Sequence, residues 1–164
     1  MSLAFELTDE VLEQLSGKGA FLTAGSDKVN TMTIGWGSVS VYWGMPVFIA
    51  PVRHSRYTFG LLEEGSEFTV SVPLDGTMDK ALGICGSKSG RDTDKYALAG
   101  LSLKDASEVE VPVIEGCGYY FECKLLTSCD LEIDALPKEI VDRYYLNGDK
   151  HRLYFGKIVA AYKA

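Results

Sequence analysis

Strand-like patterning dominates this chain. Residues 20–24, 29–36, 38–43, 46–52, 67–72, 108–114, 118–129 and 153–161 are rich in β-branched and aromatic side chains and are separated by Gly, Pro, Asp or Ser, so each is predicted to be extended. The turn Gly25-Ser26-Asp27-Lys28 and the link Gly44-Met45-Pro46 are short enough for hairpins, which predicts antiparallel neighbours. Helical periodicity interrupts the series over residues 9–16, 56–64, 78–84 and 92–99. Gly17, Gly65, Gly86 and Gly100 follow these stretches where C-caps are expected. Many short strands in series with few helices predict an antiparallel β-barrel. The 164 residues carry no repeat, low-complexity tract or linker, so one domain over 1–164 is expected.

Charge narrows the partners. Sixteen basic against 23 acidic side chains give a net charge of −7, which opposes binding to nucleic acid or to an anionic membrane through bulk electrostatics. No apolar run approaches the roughly 20 residues of a membrane span. The acidic start SLAFELTDEVLEQL lacks the basic flank of a signal peptide, so a cytoplasmic location is expected. Cys117, Cys123 and Cys129 recur at equal spacing, but along a strand the first two stand about 20 Å apart, too far to share one metal ion. These three and Cys85 are expected to be buried, reduced thiols, with no metal site.

Two strings carry the chemistry. NTMTIGW (30–36) alternates apolar and small polar residues, and RHSRYT (53–58) sets a serine ahead of a helical pattern, marking a helix N-terminus. Such a terminus presents unpaired N–H groups and partial positive charge, and Ser55, Arg56 and Thr58 stand ready to help it hold a phosphate. Taken singly, Ser55 reads equally as a plain N-cap and Arg56 as a solvated charge. In CGSKSGRDTDKY (85–96), Ser87, Ser89, Arg91 and Lys95 are candidates for the same phosphate or for the adenosine end of a nicotinamide donor. The other reading is a surface loop whose basic residues balance Asp92 and Asp94. His151 either caps the last strand or serves a site as hydrogen-bond donor and proton source, since imidazole changes charge near neutral pH.

NTMTIGW, PVFIAPVR, HSRYT, EFTVSVP and CGSKSGRDTDKY together resemble the flavin reductase-like family of FMN-binding split barrels, on the branch containing flavoredoxin. The resemblance runs from about Gly19 to Lys150-His151-Arg152. It implies an antiparallel split β-barrel with bound FMN. The strand Asn30, Thr31, Met32, Thr33 would border the isoalloxazine, with strand parity dividing the four side chains between two faces. The resemblance also implies that Arg53, Ser55, Arg56, Tyr57 and Thr58 surround the phosphate, with Ser87 and Lys95 close by. His54 stands where relatives often carry proline, and Gly35 where many carry serine.

The function so implied is oxidoreduction, with NAD(P)H as donor, FMN as carrier, and free flavin, a protein or another small molecule as acceptor. An electron carrier of the flavoredoxin kind and a flavin-binding module without turnover are the alternatives. No GxGxxG follows a strand, and the family binds nicotinamide without one. A homodimer with flavin clefts near the subunit interface is expected. Tyr119, Phe121, Tyr144, Tyr145 and Trp43 read as more aromatic surface than such a barrel buries.

Overall fold

The computed structural model describes residues 5, 6 and 8–164. Residues 1–4 and 7, and with them the first part of the acidic start, lie outside the described residues. The described elements run α1 (Thr8–Gly17), β1 (Ala20–Ala24), β2 (Asn30–Ile34), β3 (Ser38–Tyr42), β4 (Met45–Arg53), α2 (Tyr57–Glu64), β5 (Glu67–Val72), α3 (Asp79–Ser87), α4 (Lys95–Ala99), β6 (Leu103–Lys104), β7 (Val113–Ile114), β8 (Tyr119–Asp130), α5 (Lys138–Tyr144) and β9 (His151–Lys163).

Seven strands form one sheet in the order β2-β1-β5-β8-β9-β4-β3, and every pairing in it is antiparallel. The long strands β8 and β9 carry the curvature. Their register slips by one residue at Leu126 and again at Val159, and such bulges bend a sheet and increase its twist. The sheet curls until β2 touches β4, although neither pairs with the other, and this is the split of the barrel. The antiparallel split β-barrel expected from the sequence is the observed fold.

The interior explains why several strands show no alternation. Leu22, Phe68, Val70, Tyr119 and Phe121 face the barrel core together with Phe48 and Tyr154. On the opposite face Phe21 and Tyr120 pack with Leu82, Val113 and Ile114 under α3 and the small β6–β7 ribbon. Strands β1 and β5 are thus covered on both sides. Gly156 on β9 has a steric reason for being glycine, since a Cβ there would stand 2.5 Å from the Phe68 ring. The β3–β4 hairpin turns on Trp43 and Gly44, with φ of 51° and 71°, one residue earlier than the sequence suggests.

Several expectations need correction. Of the strand expected over 108–114 only Val113–Ile114 forms, as β7, because the amides before it find other acceptors. Ser107 N–H and Oγ and the Glu108 N–H donate to the buried Glu122 carboxylate, and Glu110 N–H donates to Glu67. The helix expected over 92–99 begins only at Lys95, with Asp94 as its cap, accepting from Ala97 N–H at 3.1 Å. Gly86 lies inside α3 rather than ending it. Cys85, Cys117 and Cys123 are buried but Cys129 is exposed, because the second half of β8 runs beyond the core. Of the five aromatics read as surplus surface, Tyr119, Phe121 and Tyr145 are interior.

Candidate functional site

The two strings singled out in the sequence meet at the split. Strand β4 ends at Arg53, a turn closed by Arg56 N–H to Arg53 O (3.0 Å) follows, and α2 starts at Tyr57. Arg56, in extended conformation, is the residue flanking the helix start, and it makes no side-chain cap. Ser55 is therefore not the cap. Its hydroxyl donates to Asp149 Oδ2 at 2.5 Å and its N–H to Asp149 Oδ1 at 3.1 Å, charge-assisted bonds that outcompete a helix amide for this side chain. Thr58, buried in the first turn of α2, accepts from Asn30 Nδ2 at 2.8 Å, which ties β2 to the helix. The loop after α3 passes directly over this pair. A Cβ on Gly90 would lie 2.1 Å from Asn30 Oδ1, so only glycine admits so close an approach.

Between these segments lies a cavity of about 250 Å³ lined by Asn30, Met32, Arg53, Ser55, Arg56, Tyr57, Thr58, Ser87, Lys88, Ser89, Arg91, Lys95 and Asp149. Five of these side chains are basic and one is acidic, in a chain whose net charge is −7. Lys95 is only 4% exposed, and its Nζ donates to the carbonyls of Thr31 (2.9 Å) and Cys85 (3.1 Å). Among the described residues no carboxylate pairs with it. Burial pushes its pKa down, and an ammonium with three donors has one left for the cavity. Arg56 donates to Gly86 O at 3.1 Å, and Arg91 donates to Ser55 O at 3.2 Å while lying over the Tyr57 ring. Arg53 donates to the carbonyls of Asp149 (2.5 Å) and Tyr144 (2.9 Å). Ser87 lines the cavity, but its hydroxyl bonds back to Gly83 O.

A second hollow of about 170 Å³ continues the groove past Met32, Arg53 and Arg56 to Thr33, Ile34, Gly35, Trp36, Pro51 and His151. Strand parity divides β2 as expected. Asn30 and Met32 face the cavity, whereas the Thr31 hydroxyl pairs with Thr23 (2.8 Å) and Tyr96 (3.1 Å), and the Thr33 hydroxyl donates to Leu82 O. Thr31 lines neither hollow.

His151 is 7% exposed, with Tyr145 OH 2.8 Å from its Nδ1 and the Trp36 ring 4.9 Å away. Burial, and then the Arg53 charge, lower its pKa to about 4. The imidazole is neutral at pH 7, so a change of its charge near neutrality, expected from the sequence, does not occur. Outside the groove His54 contacts Asp130 (2.8 Å), which also accepts from Arg152, while Arg152 and Tyr154 both donate to Glu63. Arg152 and then His54 hold the Asp130 carboxyl at about 2, and the cluster fixes the loop from the outside.

A groove that is cationic at one end and flanked by Met32, Pro51 and Trp36 at the other suits a planar ring carrying an anionic tail. A family model for the flavin reductase like domain matches residues 14–164. The chain belongs to the flavin reductase like domain family. An uncharacterized protein of Archaeoglobus fulgidus is 31% identical to this chain over 105 residues, 64% of this chain. The match spans 58% of that relative's length. Among solved structures, flavoredoxin from Methanosarcina acetivorans is similar with a TM-score of 0.70 and 26% identity, over 89% of this chain and 68% of that one. The FMN-binding protein from Thermus thermophilus with bound 1-cyclohex-2-enone gives 0.66 and 26%, over 88% and 68%.

Sequence reasoning missed Asp149 and Lys88 as lining of the groove and Tyr145 as the partner of His151. The turn-forming string Asn147-Gly148-Asp149 precedes His151 in the sequence, but nothing local ties it to Ser55, which lies 94 residues away in the chain.

Proposed function

We propose that this chain is an FMN-dependent oxidoreductase that passes reducing equivalents from NAD(P)H through FMN to free flavin or another acceptor. The observation that carries this reading is the concentration of five basic side chains beside one carboxylate in the groove of an acidic protein, continuous with a hollow flanked by Met32, Pro51 and Trp36. The donor set fits FMN. Arg56, Arg91, Lys95 and Thr58 would hold the phosphate, with Lys95 supplying a buried charge that lacks a carboxylate partner among the described residues. Met32, Pro51 and Trp36 would flank the ring. Bound FMN supplies hydride acceptance and onward electron transfer, and the protein contributes position and electrostatics. His151, neutral, contributes a hydrogen bond at the ring edge. In the tautomer whose Nδ1 accepts from Tyr145 OH, Nε2 carries the proton and is the donor.

The groove is open, so in this reading a second subunit covers it. Trp36 at the groove, and Tyr42 and Trp43 at the far end of the β3–β4 hairpin, the last 62% exposed, would supply apolar surface for a homodimer. Four free cysteines accord with a reducing, cytoplasmic setting, and no helix among the described residues is long and apolar enough to cross a membrane.

The likeness to flavoredoxin favours a second reading, an electron carrier that retains FMN and oxidises nicotinamide negligibly. The absorbance spectrum after loading with FMN tests the cofactor, and steady-state NADH and NADPH oxidation with and without added flavin separates the two readings. A colourless protein that takes up no FMN overturns both. Sedimentation with and without FMN tests assembly, because a ligand that prefers the dimer shifts the equilibrium toward it. A monomer that binds FMN stoichiometrically would remove the covered-groove arrangement.

A further inference from the structure

We propose that the Asp149 carboxylate is an internal occupant of the phosphate cradle, and that its displacement sets how strongly this chain prefers a phosphorylated flavin to an unphosphorylated one. The inference rests on the FMN reading above and concerns a residue to which that reading assigns no role.

The two donors that Ser55 offers, its N–H and its hydroxyl, are both bonded to Asp149, at 3.1 and 2.5 Å. Asp149 is also the one acidic residue lining a cavity with five basic ones. The turn that presents it is well defined. Gly148 adopts φ 73°, its N–H donates to Tyr145 O at 2.9 Å, and Asp149 N–H donates to Asn147 Oδ1 at 3.1 Å. Arg53 is committed to the same turn through the carbonyls of Tyr144 and Asp149. The other basic groups with recorded bonds here, Arg56, Arg91 and Lys95, bond to backbone carbonyls, which an incoming phosphate can supplement without removing.

Ser55 has one N–H and one O–H, and a carboxylate and a phosphate cannot both take them. The two anions would also repel at that distance. The chain is held before Asp149 by Gly148 N–H donating to Tyr145 O and after it by Lys150 O accepting from His54 N–H at 3.2 Å and by the pairing of His151 with Arg53, so the movement required is that of the Asp149 side chain. When only the displaced form admits the phosphate, the apparent affinity for FMN falls by the fraction of molecules in that form. Riboflavin, lacking the phosphate, leaves the contact intact and pays no such penalty.

The test is titration of the purified protein with FMN and with riboflavin, followed by flavin fluorescence, in the wild type, Asp149→Asn and Asp149→Ser. Asp149→Asn keeps an acceptor for Ser55 N–H and removes the charge. Its dissociation constant for FMN should fall by about tenfold or more while that for riboflavin stays within about twofold, the riboflavin value also reporting an intact fold. Asp149→Ser should move the same way, and inorganic phosphate should compete with FMN more strongly in both variants than in the wild type. A wild type that prefers FMN, with a preference unchanged or reduced in both variants, overturns the proposal and leaves Asp149 as a residue that merely positions Ser55. Equal binding of FMN and riboflavin in all three proteins overturns the phosphate reading as well.

Discussion

Mild acid should destabilise this protein before most of its carboxylates titrate, and His151 is the reason. Its ring is enclosed by Tyr145 and Trp36, and burial together with the Arg53 charge holds its pKa at about 4 in the folded state against 6.5 for the free side chain. Between these two values the unfolded chain binds a proton that the folded chain refuses, so stability rises with pH across that window. The contribution is complete above pH 6.5 and is lost as pH falls toward 4. The gap is worth about 3 kcal/mol in all, and about 2 kcal/mol of it should disappear between about pH 7 and pH 5.

The carboxyls of Asp130 and Glu122, whose folded pKa values are lowered, lose their contributions only below the ordinary carboxylate range, outside most of this interval. Urea unfolding of the wild type and His151→Asn at several pH values isolates the effect. The variant gives up the Tyr145 hydrogen bond at every pH, so the slope is the observable rather than the offset. The wild type should weaken by about 2 kcal/mol over the interval while the variant stays nearly level. Parallel declines in the two proteins would refute the reasoning and show that the imidazole is charged near neutrality after all.

Replacing Ser55 and Thr58 together by alanine should weaken FMN binding by about 1–3 kcal/mol and leave riboflavin binding unchanged. Thr58 carries the larger share because Ser55 must first give up Asp149, and unaltered FMN affinity in the same titration would displace the cradle from this loop. Gly156→Ala should destabilise the fold by about 1–3 kcal/mol in thermal melts, because its methyl group would overlap the Phe68 ring. Phe68→Leu added to it should recover part of the loss. Glu122→Gln turns an acceptor among four donors into a donor and should cost about 2–4 kcal/mol, with faster hydrogen exchange over residues 105–110. Wild-type stability in this variant would deny the carboxylate its anchoring role.

What the sequence discloses is local, and what it conceals is long-range. The strands of the main sheet announce themselves through β-branched residues and turn-forming neighbours, and the groove announces itself because β2, the β4–α2 turn and the loop after α3 each carry a recognisable string. Ser55 looks like a helix cap because its own neighbours say so, and only the fold reveals the carboxylate that claims it. Residues 108–114, VEVPVI among them, have the composition of a strand, but the acceptors for their amides come from Glu122 and Glu67 on other strands. α5 lay within reach of sequence reasoning. Pro137 precedes it, and Lys138 and Asp142 pair one turn apart on its surface. Of the three aromatics taken for an interface that prove interior, Tyr119 and Phe121 point from β8 into the barrel core, and Tyr145, just after α5, is buried against His151 and Arg53.

Strand β2 closes one end of the seven-stranded sheet, and a terminal strand with bare carbonyls is a template on which another chain can build. Here α4 stands in for that missing neighbour. Lys95 bonds the Thr31 carbonyl and Tyr96 OH bonds the Val29 carbonyl at 3.2 Å, two residues apart and hence on one side of the strand. The lysine that gives the groove its buried charge is therefore also a guard against strand addition. Its loss would bare that edge and couple a defect in the groove to a tendency to polymerise.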